Sequence, residues 1–482
     1  MKRAKRFNAS HLVLWVALFV GLLVVSEVSV AEEIIGEGPR LGPLESRTTQ
    51  AEVECGALSL QELRRLGLKV FTTPFNKYDG FGDGLIDPSD TTSPGGRPTL
   101  QHNGTFLRVN GLGAQTCLEC HCILSMDTIP FSLGIGGFAG LTASVLFQPT
   151  LIDVADTAGN GYAAYDGRLI NPPAVFGVGG VELVANEMTE DLQELKQEAL
   201  SKPGKTIRLQ TKGVDFGLIV ADSSGNLDVS GMVGIEEDLV VRPFGRKGEF
   251  FSVRQFDLGA MMLHFGMQPV ELVGENVDAD DDGVTDEVLI GENSVLEIFL
   301  TTMERPFIAS QGKQEKQGFQ CFKRIGCADC HRPEMKTRNA LLGLRFPEIA
   351  TDPSQNVFYI VDLAKSPPPF ERNKKGGLII RMFSDLKRHD MGDALAESFH
   401  RADEQQNREF ITAKLWGVAD TAPYLHDGRA MTLHEAIMLH GGEAEAAREA
   451  YMQLKDDQKN DILLFLKSLR NPLNPNQDVL TP

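Results

Sequence analysis

The sequence predicts a mainly α-helical fold of two units with long irregular loops and insertions. A Cys-x-x-Cys-His pattern occurs twice, with its histidines 210 positions apart. Apolar residues at helical spacing precede the second copy and recur near the C-terminus. The 48 Gly and 24 Pro residues indicate irregular connections between the helices. The two copies are Cys117-Leu118-Glu119-Cys120-His121 and Cys327-Ala328-Asp329-Cys330-His331.

This pattern is the attachment signature of a c-type haem. Its two thiols form thioether bonds to the haem vinyl groups, and its histidine becomes an axial iron ligand. With 7 Cys and 10 His in the chain, chance would produce roughly 0.002 matches. A zinc ribbon would need two Cys pairs about 15–20 residues apart. The sequence therefore predicts two covalently bound haem c groups, held by Cys117, Cys120 and His121 and by Cys327, Cys330 and His331.

Three segments around these motifs are predicted to be helical. Residues 311–325 carry apolar side chains at helical spacing and stop at Gly326. Residues 58–71 precede the first motif, and residues 457–470 form a terminal helix expected to pack across the helix 311–325. The predicted domains are an N-terminal haem domain with insertions over 50–305 and a C-terminal cytochrome c-like haem domain over 306–475.

The N-terminus has the features of an export signal. Basic residues precede an apolar run over 12–25, and small residues follow at Ser29-Val30-Ala31. The run is shorter than the about 20 residues of a spanning helix. Residues 1–31 are therefore predicted to be a signal peptide that delivers the protein to the periplasm. Membrane attachment is expected only if this signal stays uncleaved.

The chain is acidic, with a formal net charge of −19. Removing residues 1–31 removes a net +3 and leaves −22. This charge argues against nucleic acid and anionic lipid as partners and favours a basic electron donor, although solubility alone would also explain it. Cys55, Cys122 and Cys321 are not used by the haem motifs, and which pair of them forms a disulfide is open.

A helix with well-marked ends follows the second motif. Thr432 and Glu435 form a capping box, and Gly441-Gly442 closes the helix. His440 ends the apolar face of this helix. Such a histidine is usually a core residue, but beside a haem that lacks a sixth ligand it becomes a candidate iron ligand.

Four further segments accompany the two haem motifs: Thr421-Ala422-Pro423-Tyr424-Leu425-His426-Asp427-Gly428, Ser384-Asp385-Leu386, His389-Asp390-Met391-Gly392 and His440-Gly441-Gly442-Glu443-Ala444. Together they resemble the bacterial di-haem cytochrome c peroxidase and MauG superfamily, in particular its di-haem oxidoreductase branch, which is also described as thiol oxidoreductase-like. The resemblance is strong over 319–469, recognisable over 171–306 and thin before Cys117.

This resemblance implies two cytochrome c-like helical domains with a calcium ion between them. One haem would react with peroxide or another small oxidant, and the other would receive electrons from a small cytochrome or a cupredoxin. The ligand of the electron-entry haem, Met or Tyr in relatives, falls on His440, with Met391 as the competing ligand. The calcium contacts fall on Thr421 and Pro423. A homodimer is also implied.

The reacting haem needs an open or displaceable iron position. No histidine lies between His121 and His264, which fits a five-coordinate iron at the first haem. His264, Met267 and Met126 stay open as alternative ligands.

The reacting haem also needs an acid/base group that moves a proton between the peroxide oxygens. In the resembling family this carboxylate follows a Trp-Asp-Gly-Arg element, to which Tyr165-Asp166-Gly167-Arg168 is similar. Glu187 is then the candidate, and Glu182 competes with it. Tyr165 would relay electrons between the haems or simply pack.

An acidic loop is a candidate calcium site. Asp278, Asp280, Asp282 and Asp286 stand at alternate positions around a turn glycine, as in oxygen-rich cation loops. Position twelve is Leu289 instead of Glu, so a standard EF-hand is not expected, and a solvated acidic turn is the alternative. A second, weaker candidate for a calcium site comprises Asp79, Asp83 and Asp87.

The function predicted from the sequence is that of a periplasmic di-haem c-type oxidoreductase with peroxidase-like activity. One alternative is a non-enzymatic di-haem electron-transfer cytochrome. The other is a MauG-like enzyme that oxidises residues of a partner protein.

Overall fold

The computed structural model describes residues 43–81, 116–123, 146–153, 164–279, 283–365, 367, 369–397 and 404–480. The predicted signal peptide, Met126, Asp280 and Asp282 lie outside these residues, and Tyr165 is described by its backbone alone. Within the described ranges, no helix is long and apolar enough to cross a membrane.

Helices form most of the regular structure among the described residues. In chain order they are α1 (Gln50–Glu54), α2 (Leu60–Thr72), α3 (Val178–Ser201), α4 (Val253–Ala260), α5 (Val270–Val273), α6 (Ile290–Thr301), α7 (Lys313–Arg324), α8 (Cys327–Cys330), α9 (Glu404–Arg408), α10 (Leu433–Met438), α11 (Glu445–Met452), α12 (Asp456–Lys467) and α13 (Gln477–Leu480). Short 3₁₀ turns include Cys117–Glu119, and a π-helical turn spans Met261–Phe265.

Short strands pair into small antiparallel sheets between these helices. The strands are β1 (Leu146–Asp153), β2 (Ala164–Ile170), β3 (Thr206–Thr211), β4 (Val214–Ala221), β5 (Leu227–Asp228), β6 (Phe307–Ile308), β7 (Met335–Lys336), β8 (Leu341–Arg345), β9 (Val357–Asp362), β10 (Glu371–Arg372), β11 (Leu378–Ile380), β12 (Arg388–Asp390), β13 (Glu409–Ile411) and β14 (Leu469–Arg470). The sheets are β1-β2, β3-β4-β5, β10-β11-β7, β8-β9, β12-β13 and β14-β6.

The prediction of a mainly α-helical, cytochrome c-like fold is wrong. The structure has 39% helix and 16% strand, spread over several small sheets. The strands lie between the helices throughout the described residues, where β3 alternates exposed and buried residues and β8-β9 places Leu342, Leu344 and Val361 in the core. This period-two burial is that of strands with one face on the core, and the sequence prediction did not weigh it.

The predicted packing of the terminal helix on the helix before the second haem motif is confirmed. Helices α7 and α12 cross where α7 has Gly318, and a Cβ there would lie 1.9 Å from the backbone oxygen of Asp461. Phe322 of α7 meets Phe465 of α12 with ring centres 5.4 Å apart. The absent side chain thus lets the two backbones touch, which fixes the position of the haem motif that follows α7.

The same kind of crossing occurs in the N-terminal half. Helices α2 and α6 touch at Gly67, where a Cβ would lie 2.1 Å from the backbone oxygen of Val295. Phe71 and Phe299 pack edge to face beside this point, with ring centres 5.8 Å apart. The chain therefore uses one device twice, a glycine-mediated helix crossing close to each haem motif.

The C-terminal segment contacts the crossing of α2 and α6. Arg64 of α2 is fully buried and donates to the backbone oxygen of Thr302 at 2.8 Å and to Asn476 at 3.1 Å. It also pairs with Asp478 of α13 at 2.9 Å. One buried guanidinium thus joins α2, the end of α6 and the C-terminal segment. The domain boundary near residue 305 stays a prediction.

We predict that Gly318→Ala destabilises the protein by about 2–3 kcal/mol, because the new methyl group would overlap backbone atoms that cannot rotate away. Chemical denaturation of the purified protein would measure this. Gln317→Ala, on the exposed side of the same helix, is the matched control and should change stability by less than about 0.5 kcal/mol. Equal stability of the two variants would contradict the tight crossing.

Candidate functional site

His331 is oriented by a backbone carbonyl. It directly follows α8, and its own N–H donates to the oxygen of Cys327 at 3.0 Å, which keeps both cysteines and the histidine on one turn. Ring Nδ1 lies 3.1 Å from the oxygen of Phe383. A carbonyl only accepts hydrogen bonds, so Nδ1 carries the proton and Nε2 keeps a free lone pair. That nitrogen is the one an iron would bind.

His121 repeats this arrangement at the first motif. Its N–H donates to the oxygen of Cys117 at 2.9 Å, and its Nδ1 lies 3.0 Å from the oxygen of Pro173. Nδ1 is therefore again the donor, and Nε2 is again the available ligand. Two motifs 210 positions apart thus present the same nitrogen in the same tautomer.

Burial keeps both imidazoles neutral. Desolvation lowers the pKa of His121 to about 4, against the opposing hydrogen bond to Pro173. Desolvation, helped by the nearby His440, lowers the pKa of His331 to about 4. Since only a neutral imidazole binds a metal, both rings are ready ligands at neutral pH.

His440 faces His331 across a gap of defined width. The two ring centres are 6.4 Å apart, with an angle of 54° between the ring planes. His440 donates from Nδ1 to the oxygen of Ala436 at 2.7 Å, which leaves its Nε2 free as well. Desolvation lowers the pKa of His440 too.

This geometry fits a haem between the two rings. Imidazoles that bind one iron from opposite faces, each with an Fe–N bond of about 2 Å, have ring centres roughly 6.3 Å apart. Both Nδ1 atoms are already used by carbonyls, so both Nε2 atoms are available to the metal. The donor set at the second motif is therefore that of a haem with two axial histidines.

His389 is excluded as an iron ligand, because both of its ring nitrogens are occupied. Nε2 lies 2.9 Å from Asp385, and Nδ1 lies 2.8 Å from Glu443. Burial opposes protonation, but the hydrogen bonds to Asp385 and Cys330 outweigh it and raise the pKa of His389 to about 11. The ring is a charged imidazolium that joins the segment of Asp385 to the loop after His440.

Met391, the competing ligand, lies at the edge of the same loop. Its N–H donates to the oxygen of Arg408 at 2.9 Å. A Cβ at Gly441 would lie 2.9 Å from the backbone oxygen of Met391. The backbones on either side of His440 and Met391 are thus in contact.

Glu187 is held by cationic and backbone donors. It lies near the middle of α3, is almost fully buried, and pairs with the Lys212 ammonium at 2.5 Å. Its carboxylate also accepts from the N–H of Arg338 at 2.7 and 2.9 Å. Each of these contacts holds the Glu187 carboxylate in place. Glu187 therefore joins α3 to the segment after the second motif.

Glu182 is also buried, but its charge is less well compensated. It accepts from the N–H of Val253 at 2.9 Å and from Arg345 at 3.4 Å. Burial raises the pKa of Glu182 to about 7, with Arg345 opposing and Glu348 supporting the rise. A carboxyl group with such a pKa exchanges protons near neutral pH.

The loop that contains Thr421 and Pro423 is joined to the first haem unit by Asn171. The Asn171 side-chain amide donates to the oxygens of Pro423 at 2.7 Å and Leu425 at 2.9 Å. Its side-chain oxygen is buried and has no hydrogen-bond partner among the described residues. A buried amide oxygen without a hydrogen-bond partner is a ligand type that suits a hard cation.

The acidic loop does not gather its described carboxylates at one point. Asp278 accepts from the N–H of Gly283 at 2.9 Å, and Asp286 accepts from the N–H of Asn276 at 2.8 Å. Asp280 and Asp282 lie outside the described residues. Calcium binding by this loop stays a prediction.

Sequence reasoning did not find the groups that orient the ligands. Pro173 and Phe383 act through their backbone carbonyls, which no side-chain pattern marks. Asn171 also escaped notice, although a polar amide in a Pro-rich segment, just before Pro172-Pro173, was a usable signal.

These residues define a haem-binding redox protein. The family described as "Di-haem oxidoreductase, putative peroxidase" has a sequence model that matches residues 372–469, a segment that includes His440 and the Thr421–Gly428 run. The predicted resemblance to the di-haem peroxidase and MauG superfamily is thus confirmed for this segment.

No curated protein sequence matches the chain. Among solved structures, hydrazine synthase from Kuenenia stuttgartiensis is similar at 14% identity, with 90% of this chain and 98% of that chain covered and a TM-score of 0.33. A MauG-like protein associated with microbial copper homeostasis is similar at 14% identity, with 64% and 91% covered and a TM-score of 0.28. At these TM-scores neither structure supports an argument about this one.

We predict that Glu187→Gln destabilises the protein by about 3 kcal/mol, because it leaves the Lys212 ammonium buried without a counter-charge. Thermal and denaturant unfolding would measure the loss. Adding Lys212→Met should restore part of it. The exposed Glu194→Gln on the same helix is the control, and a Glu187→Gln protein as stable as this control would contradict the structural role.

Proposed function

We propose that this protein is a periplasmic di-haem c-type oxidoreductase that reduces peroxide at its first haem and takes up electrons at its second. The facing pair of His331 and His440 supports this proposal most directly. If His331 and His440 together held a haem, they would leave its iron no position for a substrate, so that haem would only transfer electrons and the reaction would belong to the haem held by His121.

Covalent attachment of the two haems is part of the proposal. Cys117 and Cys120 would hold the first haem, and Cys327 and Cys330 the second, each on a turn that ends in its histidine ligand. When bound, haem supplies the redox chemistry, namely storage and transfer of single electrons at its iron. The protein supplies neutral imidazoles of fixed direction and a buried acid/base group.

Glu182 is the acid/base candidate that the geometry favours over Glu187. A general base must be largely deprotonated at the working pH and still basic enough to take a proton, which a pKa of about 7 allows. Glu182 would accept a proton from one peroxide oxygen and return it to the oxygen that leaves as water. Tyr165 keeps its proposed role as an electron relay.

Calcium is proposed at the contact between the two haem units. The Asn171 side-chain oxygen and the backbone oxygens of Thr421 and Pro423 would be its protein ligands, with water completing the shell. The unpartnered buried oxygen of Asn171 supports this assignment. The loop of Asp278 and Asp286 is the second proposed calcium site.

The electrons are proposed to come from a small cytochrome or a cupredoxin. The expected mature charge of −22 would steer a basic donor toward this surface by long-range attraction. Association should then weaken as salt concentration rises. A homodimer is part of the proposal on the ground of the family resemblance alone.

An electron carrier without turnover is the rival function, and the His331 and His440 pair is equally compatible with it. Stopped-flow mixing of the oxidised protein with peroxide separates the two. A spectral change at one haem followed by peroxide consumption supports the enzyme. Two low-spin haems that do not respond to peroxide would leave only the carrier.

His440→Ala should convert one of the two haems from low-spin to high-spin, because it removes the sixth ligand of the second iron. Electronic absorption and electron paramagnetic resonance spectra of the oxidised protein would show the change, and added imidazole should reverse it. Met391→Leu is the control and should leave the spectrum as it is. The opposite pattern would make Met391 the ligand.

Glu182→Gln should slow the reaction with peroxide by roughly 100-fold. In the unchanged protein the rate should rise as pH passes about 7, because the deprotonated form of Glu182 is the base. The variant should lose this pH dependence. Stopped-flow rates between pH 5.5 and roughly 8.5 would test this, with Glu194→Gln as control, and an unchanged profile in Glu182→Gln would refute the assignment.

A further inference from the structure

A group of buried carboxyls surrounds Glu182 and extends across four elements of the fold. One carboxylate oxygen each of Glu182, Glu297 and Glu348 lie within 4.8 Å of one another. Glu182 lies on α3 and Glu297 on α6, and both are completely buried. Glu348 follows β8, and its side chain keeps slight contact with solvent. We call these three residues the carboxyl triad.

Two arginines, of α4 and β8, are the cations that face this triad among the described residues. Arg345 donates to Glu348 at 3.1 Å and to Glu182 at 3.4 Å. Arg254 pairs with Glu297 at 3.3 Å, and also with Glu271 of α5 at 2.7 Å.

Counting charges shows that the group cannot be fully ionised. Asp257 of α4 is buried nearby and interacts electrostatically with both Arg254 and Glu182. The triad, Asp257 and Glu271 together are five carboxyl groups, and they face two guanidinium groups. Full ionisation would leave three uncompensated negative charges inside the protein. Each such charge costs several kcal/mol in a buried site, far more than keeping a proton.

The hydrogen bonds show where a proton resides. All four carboxylate oxygens of Glu182 and Glu348 accept hydrogen bonds from Arg345, the N–H of Val253 or the hydroxyl of Ser252. Within the triad, oxygen Oε1 of Glu297 is buried and has no hydrogen-bond partner in the described part of the chain, and Oδ2 of the neighbouring Asp257 is in the same state. A carboxylate oxygen without a donor is the one that gains most from carrying a proton itself.

The same contacts disfavour a metal ion. The oxygens of Glu182 and Glu348 already receive hydrogen bonds, so only one oxygen of the triad is free to bind a cation. Two guanidinium groups within hydrogen-bond distance would repel it.

We propose that the carboxyl triad is a proton store for peroxide reduction, in which Glu297 holds a proton at rest and passes it to Glu182. This inference rests on the proposed function. Reduction of one peroxide to two waters consumes two electrons, supplied by the donor protein, and two protons. The triad supplies one proton through Glu182 and regains it from solvent through Glu348, the member nearest the surface.

Burial supports this assignment independently. It raises the pKa of Glu297 well above its ordinary value, against the opposing charge of Arg254. It also raises the pKa of Glu348, with Arg345 and the Ser252 hydroxyl opposing. A neutral, protonated triad member at pH 7 is therefore the expected resting state.

Infrared spectroscopy of the resting holoprotein at neutral pH tests the proposal. The carbonyl stretch of a buried protonated carboxylic acid should be present and should shift to lower frequency in D₂O. Glu297→Gln should remove the Glu297 component of this band, leaving only the contribution of other buried carboxyls such as Asp257, and should slow the peroxide reaction by roughly tenfold or more. Glu292→Gln is the matched control, since Glu292 is a buried glutamate of the same helix that pairs with Arg47 at 2.5 Å outside the triad.

Three outcomes would overturn the proton store. These are absence of the band, a band of unchanged intensity in Glu297→Gln, and its appearance only after a chelator removes a divalent cation found by metal analysis. If Glu297→Gln does not fold, Glu348→Gln should change the frequency of the band. If the band behaves as expected but the protein does not react with peroxide, the protonated triad is supported and the peroxidase function is refuted.

Discussion

A backbone carbonyl can accept a hydrogen bond but cannot donate one, and this constraint determines the state of His121 and His331. Each ring must place its proton on Nδ1, so each presents the lone pair of Nε2 in a fixed direction. Burial then keeps both rings neutral by lowering their pKa values to about 4. The haem chemistry proposed for the chain depends on these two rings being neutral, oriented and adjacent to paired cysteines.

Helix α3 connects this ligand geometry to the buried charges. Two of its buried glutamates contact the segment that follows the second haem motif, Glu187 through Arg338 and Glu182 through Arg345. The charge of Glu187 is compensated by Lys212, whereas the charge of Glu182 is not fully compensated. One helix therefore carries a rigid attachment point and a group that exchanges protons, separated by little more than one turn.

The sequence predicted the parts of the site that depend on side-chain identity at fixed spacing. The haem motifs, the capping box of α10 and the crossing of α7 with α12 are of this kind. It failed on the sheets: β3-β4 and β8-β9 are hairpins of strands close in sequence, but their buried face is defined only by packing against α3 in the tertiary structure. The carbonyls of Pro173 and Phe383 could not be predicted either, since any residue could supply them and only the tertiary structure brings them near a ring.

The three residues from Asn171 to Pro173 join two regions that are otherwise remote in the chain. Asn171 is bonded to the loop of Pro423 and Leu425, while the Pro173 carbonyl accepts the proton of His121. Two consecutive prolines leave this segment little torsional freedom. A displacement of the loop is therefore transmitted to the imidazole as a longer or shorter hydrogen bond. Since such a bond tunes how strongly a ligating imidazole donates electron density to iron, the reduction potential of a haem held by His121 would respond to the position of this loop.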